Sequence, residues 1–310
     1  MKKFIQLVLI IILVLSLAAC GKTEISQNSS SIVTTSKSTG EVYKDGTLTY
    51  TNLVGEQVQQ EVRDTLISSG VSKDSIEKLF IWVNDFNQCM KDCESFNLVD
   101  TWTTSTIPAV DYGEYSPMSN MWYKHNKRNF SDVLCRIAAF QLTQGNIAVK
   151  NLIDKDKWEC YTDTQWLYSD WDAISGFSLI DLDETETSRY FTLYNPVSIT
   201  PDCSSDEMYK SIKSDWSDRK ISFTESKVSL ITIWIQYQSQ TAAAHAATLI
   251  QCDNEYMLFE KSNPQSPYQA TKFSNIGQVK QYMYETIHLD DVRYGVQTGT
   301  YIVMQNDKIL

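Results

Sequence analysis

The sequence predicts an α+β chain in which N-terminal helices precede a C-terminal antiparallel sheet, with a papain-like arrangement as its more specific form. Three observations carry the fold class. Two amphipathic repeats lie between Glu56 and Phe86, a nearly all-apolar helical stretch follows Ser131, and Ile, Trp and Tyr become frequent after Ser229. Helices grouped first and strands grouped afterwards make an α+β rather than an alternating architecture.

Taken in chain order, Glu56 to Ser69 places Val58, Val62 and Leu66 one turn apart and stops at Gly70, a helix with a glycine end. Ser72 caps a second helix whose stripe is Ile76, Leu79, Phe80, Val83 and Phe86. Trp102 to Trp122, with Pro108, Gly113 and Pro117, reads as loop. A third helix starts at about Ser131 and runs to Leu142, with Asn129 or Ser131 as its cap; its few polar positions place it inside the domain. Trp158 to Ser188 shows no clear periodicity. Within it Asp181-Leu182-Asp183-Glu184-Thr185-Glu186 lacks the glycine of a calcium loop and reads as a solvated charge run. Ser229 to Tyr237 is a buried strand, and His245–Gln251 and Glu255–Lys261 are two more around a turn at Asp253-Asn254. Ser274 caps a helix over about Ile276 to Glu285, with Ile276, Val279 and Met283 inward, and Tyr301 to Met304 is a short last strand.

The first residues carry an address. Met1-Lys2-Lys3 is followed by an apolar run from Phe4 to Leu17, then Leu17-Ala18-Ala19-Cys20-Gly21. A positive start, a short apolar region and small residues at a cut site mark a secretory signal. The run is shorter than the ~20 residues a spanning helix needs. A cysteine directly after Leu-Ala-Ala looks like a lipobox, so residues 1–19 are read as a lipoprotein signal peptide and Cys20 as the lipidation site, carrying fatty acyl chains such as palmitate. Residues 20–45, rich in Ser, Thr, Lys and Gln, form a flexible linker, and 46–310 a single α+β domain. The expected location is the extracytoplasmic face of the cell membrane, with the membrane itself as a partner through lipid on Cys20.

The chain carries 27 basic and 38 acidic residues, a net charge of −11. That balance argues against a nucleic-acid partner. Its eleven glycines form no phosphate-binding loop, and no cysteine or histidine pair stands at metal-site spacing, so no cofactor and no metal are expected. Of seven cysteines, Cys89, Cys93, Cys135, Cys160, Cys203 and Cys252 remain after Cys20; in an oxidising location disulfides are possible, with connectivity open.

Nucleophilic cysteine chemistry needs a thiolate, favoured near a helix N-terminus and beside an imidazole. Cys135 falls in the opening turns of the third helix. Of the three histidines, His125 lies among Lys, Arg and Asn and His288 among acidic residues, so both read as surface. His245 opens a strand among alanines and is the candidate base. With a two-residue turn at Asp253-Asn254, paired positions place Glu260 opposite Ala247, on the face of His245. Glu260 is therefore the residue expected to orient the imidazole, with Asn263 in reserve; a one-residue slip would present Lys261 or Asn263 instead. Cys135 also reads as a small buried hydrophobe, and His245 as a satisfied strand histidine; their spatial distance decides.

Several blocks resemble a family of Gram-positive lipoproteins known as a domain of unknown function, number 4300 in that series. They are Thr49-Tyr50-Thr51-Asn52-Leu53, Trp82 to Asn87, Cys135 to Leu142, Trp216 to Phe223, Ser229-Leu230-Ile231, His245, Leu258-Phe259-Glu260-Lys261, Pro267 to Phe273 and Ile302 to Asp307. The resemblance covers roughly residues 46 to 310. It implies lipoprotein anchoring, and its blocks follow a papain-type order: Cys on an early helix, His on a later strand, an acid on the next. Leu134 and Ala244 stand where the family pattern has Asn and Gly. The expected function is a cysteine hydrolase acting on an amide or thioester, with a cell-wall peptide as its partner. The alternative is a non-catalytic lipoprotein binding a glycan, peptide or envelope protein through aromatics such as Trp166, Tyr168 and Trp171.

Overall fold

The computed structural model describes residues 47–93, 98–113, 116–126, 133–158, 166–176, 179–295 and 297–310. The signal and linker, with Cys20, lie outside the described residues, as do Cys160, Asn129, Ser131 and the side chains of Trp166 and Tyr168. Among the described residues, no helix is long and apolar enough to cross a membrane.

In chain order the elements are β1 (Leu48–Thr51), α1 (Glu56–Ser68), α2 (Lys73–Met90), β2 (Thr103–Ser105), α3 (Ser116–Asn126), α4 (Cys135–Thr143), β3 (Ile147–Val149), α5 (Lys155–Trp158) and α6 (Trp166–Gly176). They continue as α7 (Glu184–Tyr194), β4 (Val197–Ser198), α8 (Ser205–Asp218), β5 (Ile221–Phe223), β6 (Val228–Tyr237), β7 (Gln240–Gln251), β8 (Tyr256–Lys261) and β9 (Tyr268–Phe273). Helix α9 (Ile276–Tyr294) and strands β10 (Tyr301–Gln305) and β11 (Lys308–Ile309) complete the chain. The fold is mixed, with helices first and an antiparallel sheet in the C-terminal part, in the order β11-β10-β6-β7-β8-β9-β1-β2 with β4 on β7.

The sheet is buried on both faces, and period-2 alternation along its strands feeds two cores. Leu230 and Trp234 of β6 join the core built with α1, α2, α4, α7 and α8. Ile231 and Ile233 of the same strand join the core that α9 closes with Val279, Tyr282, Met283 and Ile287. Helix α4 is buried at every one of its residues, which explains why its sequence has so few polar positions.

Helices α1 and α2 follow their stripes: Val58, Val62 and Leu66 are buried, Ser72 accepts from the Ser75 amide, and Gly70 adopts φ +97° beyond the end of α1. Elsewhere the structure corrects the sequence. Helix α3 occupies part of the expected loop, since Pro117 sits in its first turn, where a missing N–H costs nothing. The acidic run at Asp181–Glu186 is a helix start: Asp183 accepts from the Glu186 amide at 2.7 Å and Glu186 accepts from the Asp183 amide at 3.0 Å. This capping box, and the one formed by Ser204 and Glu207 at α8, carries the S/T/D-x-x-E signature that opens a helix. Asn275, not Ser274, caps α9, which runs to Gly295 at φ +62°. Strand β7 starts at Gln240 rather than His245; its alanines have little strand preference of their own and are held by pairing to β6.

Candidate active site

The site forms where α4 meets β7. Along β6 and β7, Ile233 pairs with His245 but Trp234 pairs with Ala243, so Ala244 is one extra residue and β7 bulges there. A bulge bends its strand and re-aims the neighbouring side chains. Ala244 keeps φ outside the positive range, so an alanine occupies this position without strain. The carbonyl of Ala243 accepts from Arg136 Nη1 at 2.7 Å, and the carbonyl of Ala244 accepts from Cys135 Sγ at 3.9 Å.

Cys135 is the first residue of α4. The residue before it, Leu134, is the N-cap with extended backbone and no side-chain cap, which replaces the Asn129 or Ser131 cap expected from sequence. First-turn amides have no acceptor within their own helix and carry the positive end of its dipole. Next to Cys135, the Arg136 guanidinium makes a two-point ion pair with Asp170 of α6, at 2.8 Å from Nε and 2.7 Å from Nη2. Tyr190 donates to the same carboxylate at 2.6 Å. Both charges are buried, with side-chain exposures of 6% and 0%.

His245 Nε2 lies 2.8 Å from Glu260 Oε2, and the Cys135 thiol interacts with the same imidazole. With Nε2 on the carboxylate, Nδ1 is the nitrogen left for sulfur. Burial alone would disfavour charge on both groups. For His245 it is outweighed by hydrogen bonds to Cys135 and Glu260 and by their negative charge, which raise the imidazole from 6.5 to about 10. For Cys135, burial pushes the thiol up, but the His245 hydrogen bond and the Arg136 and His245 charges bring it below its ordinary value. Both shifts act in the direction of a thiolate–imidazolium pair.

Ala247 pairs with Glu260, so the register read from the two-residue turn is the one adopted. Lys261 points to the other core, where its ammonium donates to the Ser266 carbonyl at 2.6 Å and sits 3.9 Å over the Phe86 ring. Asn263, the reserve, closes a turn instead: its carbonyl oxygen accepts from the Gln265 and Ser266 amides, each at 3.0 Å. His125 and His288 are exposed. Trp171 packs 5.8 Å from Trp158 and 5.9 Å from Phe191 against the helical core, with the Lys155 ammonium 5.3 Å from its ring. Cys135, Cys203 and Cys252 are free thiols.

Three contributors were not foreseen. Asp170 sits in an aromatic stretch with no local signal. Tyr282 lies three residues after Val279 on the inward stripe of α9, and its hydroxyl donates to Glu260 Oε1. Gln269 stands in the Pro267–Phe273 block and donates to the Tyr282 hydroxyl at 2.9 Å.

A cleft of about 500 Å³ opens over the sulfur. Ile233, Ile235, Ile287 and Leu289 form its apolar wall, and Asp290, Asp291 and Arg293 stand among its polar lining. Arg293 is engaged by Asp111 and, at 3.3 Å, by Asp290.

Residues 49–310 match the family model described as a domain of unknown function, DUF4300. No curated protein and no solved structure matches the chain.

Proposed function

The chain belongs to the DUF4300 family, and from that premise we propose that it is a cysteine hydrolase of papain-like layout. It is held at the extracytoplasmic face of the membrane by lipid on Cys20, and it acts on an amide or thioester, with a cell-wall peptide as the natural substrate for that location. The observation that carries the reading is the buried chain Cys135–His245–Glu260 at the floor of an apolar cleft. The N-terminal sequence supports the anchor.

In this reaction the Cys135 thiolate attacks the carbonyl carbon, an Sγ–C bond forms, and the carbonyl electrons move to oxygen. The Cys135 amide, at the start of α4, stabilises that charge. Collapse breaks the C–N or C–S bond while His245 Nδ1 gives its proton to the leaving group. Water then attacks the acyl-cysteine, returns a proton to His245, and releases the acid and the thiolate. Glu260 holds the ring in one orientation throughout. Trp171 is half-buried, its ring packed against the helical core rather than presented in the cleft.

Iodoacetamide labelling across pH, read by peptide mass spectrometry, tests the reading. Cys135 is expected to label at lower pH than Cys203 or Cys252, both of which burial pushes above the ordinary thiol value. Hydrolysis of a peptide substrate is expected to follow a bell whose alkaline limb falls near pH 10, as His245 loses the proton it must donate. Labelling needs only the thiolate and has no such limb. Equal labelling of Cys135 and Cys252 at neutral pH removes the hydrolase reading.

The cleft also has a polarity. Its two guanidinium groups are engaged by carboxylates, which leaves the lining with excess negative charge. A cationic methanethiosulfonate should therefore react with Cys135 about tenfold faster than an anionic one, after normalisation to a small thiol. Asp290→Asn should narrow the difference. Equal normalised rates would mean that the rim does not select on charge.

A further inference from the structure

We propose that Asn52, Tyr112, Gln269 and Tyr282 form a one-way hydrogen-bond relay that fixes Glu260 Oε1 as an acceptor and thereby positions Glu260 and His245 against Cys135; the inference rests on the hydrolase reading of that site. The relay's direction is set at its far end by backbone. Asn52 Oδ1 accepts from the Val99 amide at 3.0 Å, and Asn52 Nδ2 donates to the Tyr268 carbonyl at 3.2 Å. A backbone N–H only donates and a carbonyl only accepts, so the amide has a single orientation.

Everything downstream follows. Asn52 Nδ2 donates to the Tyr112 hydroxyl at 2.7 Å, so that hydroxyl's one hydrogen goes to Gln269 Oε1, 2.5 Å away. With its carbonyl end taken, Gln269 turns Nε2 to Thr271 Oγ1 at 2.7 Å and to the Tyr282 hydroxyl at 2.9 Å. Tyr282 already receives a hydrogen, so it sends its own to Glu260 Oε1. That oxygen is thereby an acceptor, and Oε2 faces His245 Nε2.

Asn52, Gln269 and Glu260 are buried to 1% exposure or less, so bulk water does not replace the partners of these three side chains. Burial raises Tyr112 and Tyr282 well above the ordinary phenol value, which keeps both as O–H donors. The anchor is held at a conformational cost. Leu53, next to Asn52, adopts φ +60°, and its carbonyl is pinned by Gln59 Nε2 at 2.7 Å and Asn87 Nδ2 at 3.0 Å. Such backbone persists where surrounding contacts over-determine it.

The test compares Gln269→Glu with Gln269→Met in the full-length chain, reading the pH midpoint of Cys135 alkylation. Glutamate presents an acceptor where Gln269 presented a donor, draws the Tyr282 hydrogen away and places a second negative charge beside Glu260. Glu260 is then pushed from the orientation that holds His245, the imidazole loses its aligned acceptor, and the midpoint should rise by about one pH unit. Methionine has similar size and no polarity; it breaks the relay at Gln269 without offering a competing acceptor, so Tyr282 loses its fixed direction and the midpoint should rise by a smaller amount, about half as much. Equal shifts for both variants, or no shift for either, would overturn the relay. If wild-type Cys135 fails to label selectively, the hydrolase reading falls regardless of the variants. Should Gln269→Glu lose its far-ultraviolet circular dichroism, Tyr282→Phe takes its place: a raised midpoint supports the relay and an unchanged one overturns it.

Discussion

His245→Ala should raise the pH midpoint for alkylation of Cys135 above the ordinary thiol range, and slow hydrolysis by roughly 10²–10⁴-fold. Burial is the largest influence on this thiol and opposes its charge; the His245 hydrogen bond is the largest one favouring it. Without the imidazole, the Arg136 guanidinium remains nearby but is neutralised by Asp170. Desolvation then decides, and a buried thiol surrounded by Leu134, Ala244 and Ile233 stays protonated at neutral pH. The measurement is the same labelling profile, with Cys252 as internal reference. A variant that keeps the wild-type midpoint would show that the imidazole does not hold the thiolate.

Asp170→Asn should cost about 3–5 kcal/mol of stability, measured by urea denaturation. The substitution leaves the Arg136 charge buried without its counter-ion, and it weakens the acceptor for Tyr190. Ion pairs at this depth add little over a well-packed apolar pair, but removing one partner alone is expensive. The double change Arg136→Met with Asp170→Leu should accordingly recover much of the lost stability. It should not recover the reactivity of Cys135, because Arg136 also bridges α4 to the Ala243 carbonyl at the bulge. A loss below about 1 kcal/mol for Asp170→Asn would mean that other groups carry the guanidinium charge.

These expectations involve residues of uneven legibility. Helices α1 and α2 were readable because each repeats an apolar position every three or four residues and has a boundary signal, Gly70 after α1 and Ser72 before α2. Helices α7 and α8 carry capping boxes, yet neither was expected from the sequence; the acidic composition around Asp183 masked the first of them. Strand β9 and the N-terminal strands β1 and β2 were not readable, since short polar stretches such as Thr103–Ser105 gain their pairing only from a neighbour already in place. Helix α4 was placed from its apolar run, but its first residue was not, because its cap is a leucine rather than a polar side chain.

The face relation between His245 and Glu260 was contained in the sequence itself. Side chains alternate along a strand, a two-residue turn sets which positions oppose, and both rules act over the few residues from Ala247 to Glu260. The approach of Cys135 to His245 depends instead on a bulge at Ala244 and on packing of α4 against β7, contacts between segments more than a hundred residues apart. Arg136 with Asp170, 34 residues on, and the chain from Asn52 to Tyr282 likewise depend on tertiary packing. Local periodicity constrains which side a residue faces; only the closed core, where every buried polar group must find a partner, decides which distant residue it meets.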